Sequence, residues 1–245
     1  MDELILRDEA RKRFNPFLDE IFNIYKDNIH SIYITGSALT DDFNPKLSDI
    51  NSLFVLKEMD LNFLKLLAPL GKKYGKKRVS APLIMTPPYI LNSLDVFPLE
   101  FVDIKVVHKT VFGEDLFQNI EISGSDLRRQ CERELKIRLI SLRQGYISSS
   151  GNRKILSEGF MKSFSGYIPL FRGIIILFGQ EPPIGSQGVL KALQEKSGVN
   201  TNVFKTVLRA KKERVKFTIE QLNTIFEDYY QAIEKLGNIV DAIEK

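Results

Sequence analysis

The feature that most constrains this chain is a pair of short apolar runs separated by a polar connector. The first run, residues 32–37, ends in Gly-Ser, and the second covers residues 50–56. Asp49 stands immediately before the second run, and Asn51 follows two positions later. Because side chains alternate along a β-strand, Asp49 and Asn51 are expected to share one face beside the Gly-Ser turn. Two oxygen-bearing side chains next to a glycine turn predict a phosphate and metal site.

The order strand, Gly-Ser, about a dozen residues, and Asp at the head of the next strand resembles the nucleotidyltransferase superfamily. That superfamily includes DNA polymerase beta, the kanamycin and streptomycin adenylyltransferases and the small MNT-type proteins. Gly36, Ser37 and Asp49 match its pattern, whereas Asn51 stands where the family usually has a second carboxylate. The resemblance spans roughly residues 30–117. It implies an α+β fold with a mixed sheet flanked by helices.

The resemblance also implies a role for each residue of the site. Gly36, Ser37 and Ser48 would bind the phosphates of a nucleoside triphosphate, with ATP the expected nucleotide. Asp49 would hold both ions of a two-Mg²⁺ centre, and Asn51 would offer an uncharged amide oxygen to the same centre. The implied reaction is attack of a hydroxyl group on the α-phosphate with release of pyrophosphate. The acceptor would be a small molecule, an RNA or a protein.

The resemblance implies a third carboxylate on a later strand of the sheet, and the run Phe97–Val107 is predicted to be that strand. Glu100 and Asp103 are the two candidates for this catalytic position. Their odd separation puts them on opposite faces of a regular strand, so only one of them reaches Asp49. Lys105 would share the face of Asp103, which favours Asp103 as the catalytic and metal-binding residue and leaves Glu100 as the alternative.

A cluster of basic side chains ends the predicted helix of residues 60–76. It consists of Lys72, Lys73, Lys76, Lys77 and Arg78. One interpretation is a solvated helix terminus whose cations oppose the helix dipole. The other is an electrostatic funnel for a nucleotide or an RNA.

The second half of the chain predicts helices only. Ser123–Asp126 is the best candidate for a linker, which gives a nucleotidyltransferase-like domain at 1–122 and an all-α domain at 123–245. We expect a four- or five-helix bundle there. Its predicted helices cover residues 126–147, 153–179, 186–197, 201–215 and 218–244.

Composition limits the class of protein. The 245 residues have 43% hydrophobic content, a net charge of +4 and a pI near 9.0, values compatible with a packed core and with polyphosphate or RNA as a ligand. The single cysteine, Cys131, rules out an internal disulfide framework and is expected to be buried. The N-terminal residues lack a secretory signal pattern, and no run is long enough to predict a membrane span. A cytoplasmic protein is expected, with a homodimer left open.

Two hypotheses about function follow from these residues. The first is an active, metal-dependent nucleotidyltransferase. The second is a nucleotide-binding or interaction module that has lost its chemistry, because Asn51 removes one negative charge from the predicted metal site.

Overall fold

The computed structural model describes residues 4–213 and 215–243. The chain separates into two compact units. The first unit contains the residues up to Val96 together with Asp103–Glu121, and the second contains Phe97–Val102 and the residues from Ile122 onward. A short segment near residue 100 therefore groups with the C-terminal helices, although its neighbours on both sides belong to the first unit.

A four-stranded mixed sheet forms the centre of the first unit. Its spatial order is β3-β2-β1-β4, with β1 antiparallel to both β2 and β4 and with β2 parallel to β3. The strands are β1 Ile29–Thr35, β2 Asn51–Leu56, β3 Leu83–Met85 and β4 His108–Gly113. The α+β class and the first two strands agree with the sequence prediction.

Two long helices cover one face of this sheet, and aromatic side chains make the contact. Phe17 packs edge-on against Phe54 of the sheet and against Tyr74, and Phe63 lies against the other side of Phe54. Pro16 lies inside the first helix. The helices of this part are α1 Asp8–Tyr25, α2 Leu61–Gly75 and the short α3 Pro87–Leu91.

The strand predicted over Phe97–Val107 is wrong, because Pro98–Val106 forms a helix, α4. Apolar runs of this length fit a buried strand and a buried helix equally well, so periodicity does not separate them. Pro98 begins the helix, a position where its missing N–H costs nothing. The strand of this region is β4, which starts two residues after the end of α4.

Six helices form the second unit within the part of the chain that the structure describes. They are α5 Gly124–Ser149, α6 Arg153–Ser163, α7 Tyr167–Leu177, α8 Ser186–Ser197, α9 Asn202–Glu213 and α10 Ile219–Asp241. The single helix predicted over 153–179 is wrong, because a short 3-10 turn at Phe164–Gly166 divides it. Pro169 explains the division, since proline is accepted in the first turn of a helix and disrupts a helix interior. The bundle therefore has one helix more than expected.

An aromatic cluster occupies the interior of the bundle. Phe204 packs against Phe171 and Tyr229 with ring centroids 4.9 and 4.7 Å apart, and Tyr167 lies edge-on to Tyr229. Burial raises the pKa of Tyr167 to about 12. Cys131 is buried as expected, and burial raises the pKa of its thiol. These groups are structural parts of the core.

Helix α7 is the most apolar of the chain, and its one arginine is bound by backbone carbonyls. Arg172 donates to the carbonyl oxygens of Pro183 and Ile184. No single described helix is both long and apolar enough to cross a membrane. Among the described residues, one pair of consecutive helices, Arg153–Lys162 and Tyr167–Leu177, has that length and apolar composition when the two are taken together, with a bend of 47° between them.

Candidate functional site

Three strand ends meet at one edge of the sheet, where the sequence places its Gly-Ser turn. Thr35, the last residue of β1, pairs with Asn51 on one side and with His108 on the other. Side chains of directly paired residues point to the same face of a sheet. The first residue of β2 and the first residue of β4 therefore flank the turn that follows Thr35.

Gly36 makes this turn with a left-handed backbone, at a φ of +71°. A side chain at this position would point toward Asn51, because a Cβ atom would lie 3.6 Å from its Nδ2. The Gly36 N–H donates to the carbonyl oxygen of Val107 at 3.3 Å, which ties the turn to the end of α4. Ser37 and Ala38 then open a 3-10 helix, Gly36–Leu39. The first N–H groups of such a helix have no carbonyl partner within it.

The connector between the strands is held by its own hydrogen bonds. The Ser48 hydroxyl accepts from the backbone N–H of Asn44 at 2.9 Å, and the Asn44 side chain accepts from the N–H of Lys46. Arg7 pairs with Asp41, and Arg13 donates to the carbonyl oxygen of Pro45 at 2.9 Å. Ser48 thus closes the connector loop, and its assignment as a nucleotide-binding residue stays a prediction.

Asp49 lies at the head of β2, and its partner is Arg78. The two side chains meet with Nη1 and Oδ1 3.2 Å apart, and the same Nη1 donates to the carbonyl oxygen of Leu47 at 3.1 Å. Both side chains are about half exposed, at 40% for Arg78 and 54% for Asp49. An ion pair this exposed contributes about 1 kcal/mol or less to stability.

Backbone hydrogen bonds fix Arg78 beside β2. The N–H of Ile50 donates to the Arg78 carbonyl oxygen at 2.8 Å, and the N–H of Ser80 donates to the Ile50 carbonyl oxygen at 3.0 Å. Arg78 itself adopts a φ of +60°, in the left-handed region that residues with a side chain seldom enter. Such a conformation costs about 1 kcal/mol or more and persists only where its surroundings impose it.

The basic cluster of the sequence divides in the structure. Lys73 pairs with Glu20 at 2.5 Å, and this lysine and the Tyr74 hydroxyl lower the pKa of the Glu20 carboxyl. Lys73 and Lys77 both lie over the Tyr74 ring at 5.2 Å. Lys73 therefore joins α2 to α1 and Lys77 packs on Tyr74, whereas Arg78 pairs with Asp49 at the candidate site. Sequence reasoning counted Arg78 with the lysines and missed its separate position.

Glu100 and Asp103 both lie on helix α4, so the strand-parity argument that separated them no longer applies. Residues three apart on a helix share a face. The Glu100 carboxylate accepts from the Gln130 side chain at 2.8 Å, within the second unit. Asp103 belongs to the first unit, one turn before Val107, whose carbonyl accepts from Gly36. The assignment of Asp103 as the third carboxylate, with Glu100 as the alternative, stays a prediction.

The residues gathered around Gly36 supply little negative charge for a two-metal centre. Asp49 is paired with an arginine, and Asn51 carries no charge. Among residues 4–213 and 215–243, no three or more histidine, cysteine, aspartate or glutamate side chains are grouped to hold a metal ion. Two dications require more negative charge than one carboxylate that is already neutralised by a cation. The assignment of Asp49, Asn51 and Asp103 as metal ligands stays a prediction.

His108 and the Gly-Glu-Asp turn at the end of β4 are held by hydrogen bonds to their neighbours in the first unit. The imidazole lies between the carbonyl oxygen of Ile104 and the carboxylate of Asp115, at 2.8 and 3.1 Å. The Tyr33 hydroxyl donates to the carbonyl oxygen of Glu114. Gly113 has a φ of +75°, and a Cβ atom there would lie 2.0 Å from the His30 carbonyl oxygen. These residues are structural.

The fold of the chain is matched by a solved structure. The crystal structure of spectinomycin adenyltransferase AAD(9) from Enterococcus faecialis, with ATP and spectinomycin, superposes with a TM-score of 0.57 at 14% sequence identity. The match covers 91% of this chain and 99% of the other. This chain has the nucleotidyltransferase fold. A scan against protein-family models and a search of curated proteins find no match.

The nucleotidyltransferase fold agrees with the resemblance carried by Gly36, Ser37 and Asp49. The match extends over both units, so it includes the C-terminal helices, which the motif does not reach. At this level of identity the match concerns the fold, and the chemistry of the site depends on the residues described above.

Proposed function

We propose that this protein is a nucleotidyltransferase that takes ATP and transfers AMP to a hydroxyl group of an acceptor. The observation that carries the proposal is the grouping of the left-handed Gly36 turn, Asn51 and Asp49 at one sheet edge of a nucleotidyltransferase fold. The crystal structure with the similar fold contains ATP and a small-molecule acceptor, which supports ATP as the nucleotide.

In this proposal the Gly36 turn binds the triphosphate. Glycine lets the backbone approach the phosphates, and the N–H groups of Ser37 and Ala38 donate to their oxygens. The acceptor oxygen forms a bond to the α-phosphorus while the bond to the leaving pyrophosphate breaks. Asp103 takes the proton of the attacking hydroxyl group. Asp49 orients the groups that surround the triphosphate.

The further assignments belong to the same proposal. Magnesium arrives as part of the Mg·ATP substrate, and the acceptor is a small molecule, an RNA or a protein. We assign the nucleotide chemistry to the first of the two domains predicted from the sequence, 1–122, apart from Phe97–Val102, which groups with the helical domain predicted at 123–245. Because nucleoside triphosphates are cytoplasmic substrates, we place the reaction in the cytoplasm.

A transfer screen tests the proposal. The full chain is incubated with α-labelled ATP, GTP, CTP or UTP and Mg²⁺, against pools of small molecules and RNA and with the protein itself as acceptor. We expect a labelled product with ATP, and about a hundredfold slower formation of this product with Asp103→Asn. Nucleotide binding without a labelled product in any pool would favour the alternative, a binding module without chemistry. Absence of both binding and product would contradict the proposal.

A further inference from the structure

Arg78 is the feature of the site that the proposed reaction does not yet use. Its guanidinium group touches Asp49 and the Leu47 carbonyl through Nη1. Its Nε and Nη2 atoms make no hydrogen bond within residues 4–213 and 215–243, and 40% of the side chain is exposed. The part of the fork that faces solvent is therefore available to an anion.

The backbone holds this arginine at the site more firmly than its side-chain contact does. Segment 78–80 pairs with Ile50 by two backbone hydrogen bonds, directly after Asp49 in the chain. The φ of +60° at Arg78 is one of two positive values among the described residues other than glycine. The other side chains of the basic cluster pack on Tyr74 or are exposed to solvent. The fold thus keeps an unfavourable backbone conformation at the residue whose guanidinium group pairs with Asp49, next to the start of β2.

The charges of the site favour an anion over a dication. Asp49 and Arg78 neutralise each other, and Asn51 adds no charge. Carboxylates repel a triphosphate until metal ions enter, and both the pairing of Asp49 with Arg78 and the uncharged amide at position 51 lower that repulsion. Guanidinium groups bind phosphate oxygens with paired N–H donors, a geometry that matches this class of ligand.

We infer that Arg78 is a phosphate-binding residue that supplies the positive charge a metal ion supplies in a two-metal centre. In the free protein it pairs with Asp49. In the bound state it donates to a phosphate group of the nucleoside triphosphate, and the weak, half-exposed pair with Asp49 loosens or opens. This inference rests on the proposed function, because it places the triphosphate at the Gly36 turn.

The consequence is that ATP binds without magnesium. Calorimetric titration of ATP into the full chain, first with EDTA and then with Mg²⁺, measures this directly. We expect binding by the wild type in EDTA and a loss of about tenfold or more in affinity for Arg78→Gln under the same condition. Arg78→Lys keeps the positive charge without the paired N–H donors of a guanidinium group. Its ATP affinity is expected to lie between those of the wild type and Arg78→Gln. In Arg78→Gln, Asp49 is released from its cation, so Mg²⁺ should restore part of the binding.

Lys76→Gln is the matched control, because it removes the same charge from an exposed side chain two residues away. Its affinity for ATP in EDTA should stay within about threefold of the wild type. Thermal unfolding without nucleotide checks that each variant is folded. Arg78→Asn repeats the test with a residue that accepts the left-handed backbone.

The outcomes separate the inference from the proposed function. Equal ATP affinity of the wild type and Arg78→Gln in EDTA would overturn the role of Arg78 and leave nucleotide binding intact. Wild-type binding that requires Mg²⁺ would do the same. Absence of ATP binding by the wild type in both conditions would overturn the proposed function and this inference with it.

Discussion

At the scale of single residues, the candidate site depends on backbone conformations that few residues adopt. Gly36 and Arg78 both have positive φ values, and each lies beside the start of β2. The glycine leaves the turn without a side chain, and the arginine pairs with Asp49.

Gly113 has the least room for an added methyl group among the glycines of the described residues. Gly113→Ala brings a Cβ atom to 2.0 Å from the His30 carbonyl oxygen in a left-handed backbone, so β1 and β4 must separate locally. We expect a loss of more than about 3 kcal/mol in the free energy of unfolding, measured by denaturant titration.

Gly151→Ala is the control for this prediction. Gly151 has a nearly equal φ of +73°, with no atom within 4 Å of the added methyl group. It should lose only about 1 kcal/mol, the cost of the left-handed backbone alone. A similar loss of unfolding free energy in both variants would show that the contact with His30 does not contribute to the destabilisation.

Single residues were the least predictable part of the site. Gly36, Asp49 and Asn51 were placed by a local motif, and the structure brings Gly36 and Asn51 together. Arg78 was not foreseen, because nothing in a run of basic residues marks the one that enters a left-handed conformation. The physical cause is a parallel pairing with Ile50, which depends on chain segments that are distant in sequence.

At the scale of elements, the conformation of α4 determines how the choice between Glu100 and Asp103 as the third carboxylate is argued. A run of apolar residues interrupted by Glu100 and Asp103 predicts a strand from its composition, whereas Pro98 at its start favours a helix. Gln130 completes the helix start, because its side chain accepts from the N–H of Leu99 at 2.8 Å. That contact from a distant helix is absent from the sequence pattern.

The two carboxylates of α4 are expected to differ in function. Asp103→Asn should lower transfer activity by about a hundredfold, because it removes the proposed base. Glu100→Gln should leave transfer activity unchanged and cost about 1 kcal/mol or less in stability, since its contact is with Gln130. Initial transfer rates and thermal unfolding of both variants measure this. Loss of activity in Glu100→Gln alone would reverse the assignment.

Close packing of α7 gives a second prediction at this scale. A Cβ atom on Gly173 would lie 2.4 Å from Leu99 Cδ2 and 3.1 Å from Cys131 Sγ, so Gly173→Ala overpacks the contact. We expect a loss of about 1 kcal/mol or more. Gly237→Ala in α10, where no atom lies within 4 Å, should gain roughly 0.5 kcal/mol from helix propensity. Thermal unfolding that shows the same sign for both variants would contradict this packing.

At the scale of the whole molecule, the order of structural classes along the chain was predicted correctly from the amino-acid sequence. A mixed sheet with flanking helices comes first, and helices follow to the end of the described residues. Long amphipathic helices are readable because their periodicity is local. The division of the chain near residue 100 between two units could not be predicted from the sequence, because it depends on which of the two cores each apolar residue joins.

The most direct test of the central claim is the stabilisation of the protein by ATP in the wild type and in Gly36→Asn. Asparagine tolerates the left-handed backbone, so this variant should fold while its side chain occupies the turn. At an ATP concentration about 100 times the dissociation constant, the wild-type Tm should rise by roughly 5 to 10 °C. The Tm of Gly36→Asn should not change on addition of ATP. An equal rise in both proteins would show that the triphosphate binds elsewhere and would contradict the placement of the nucleotide site.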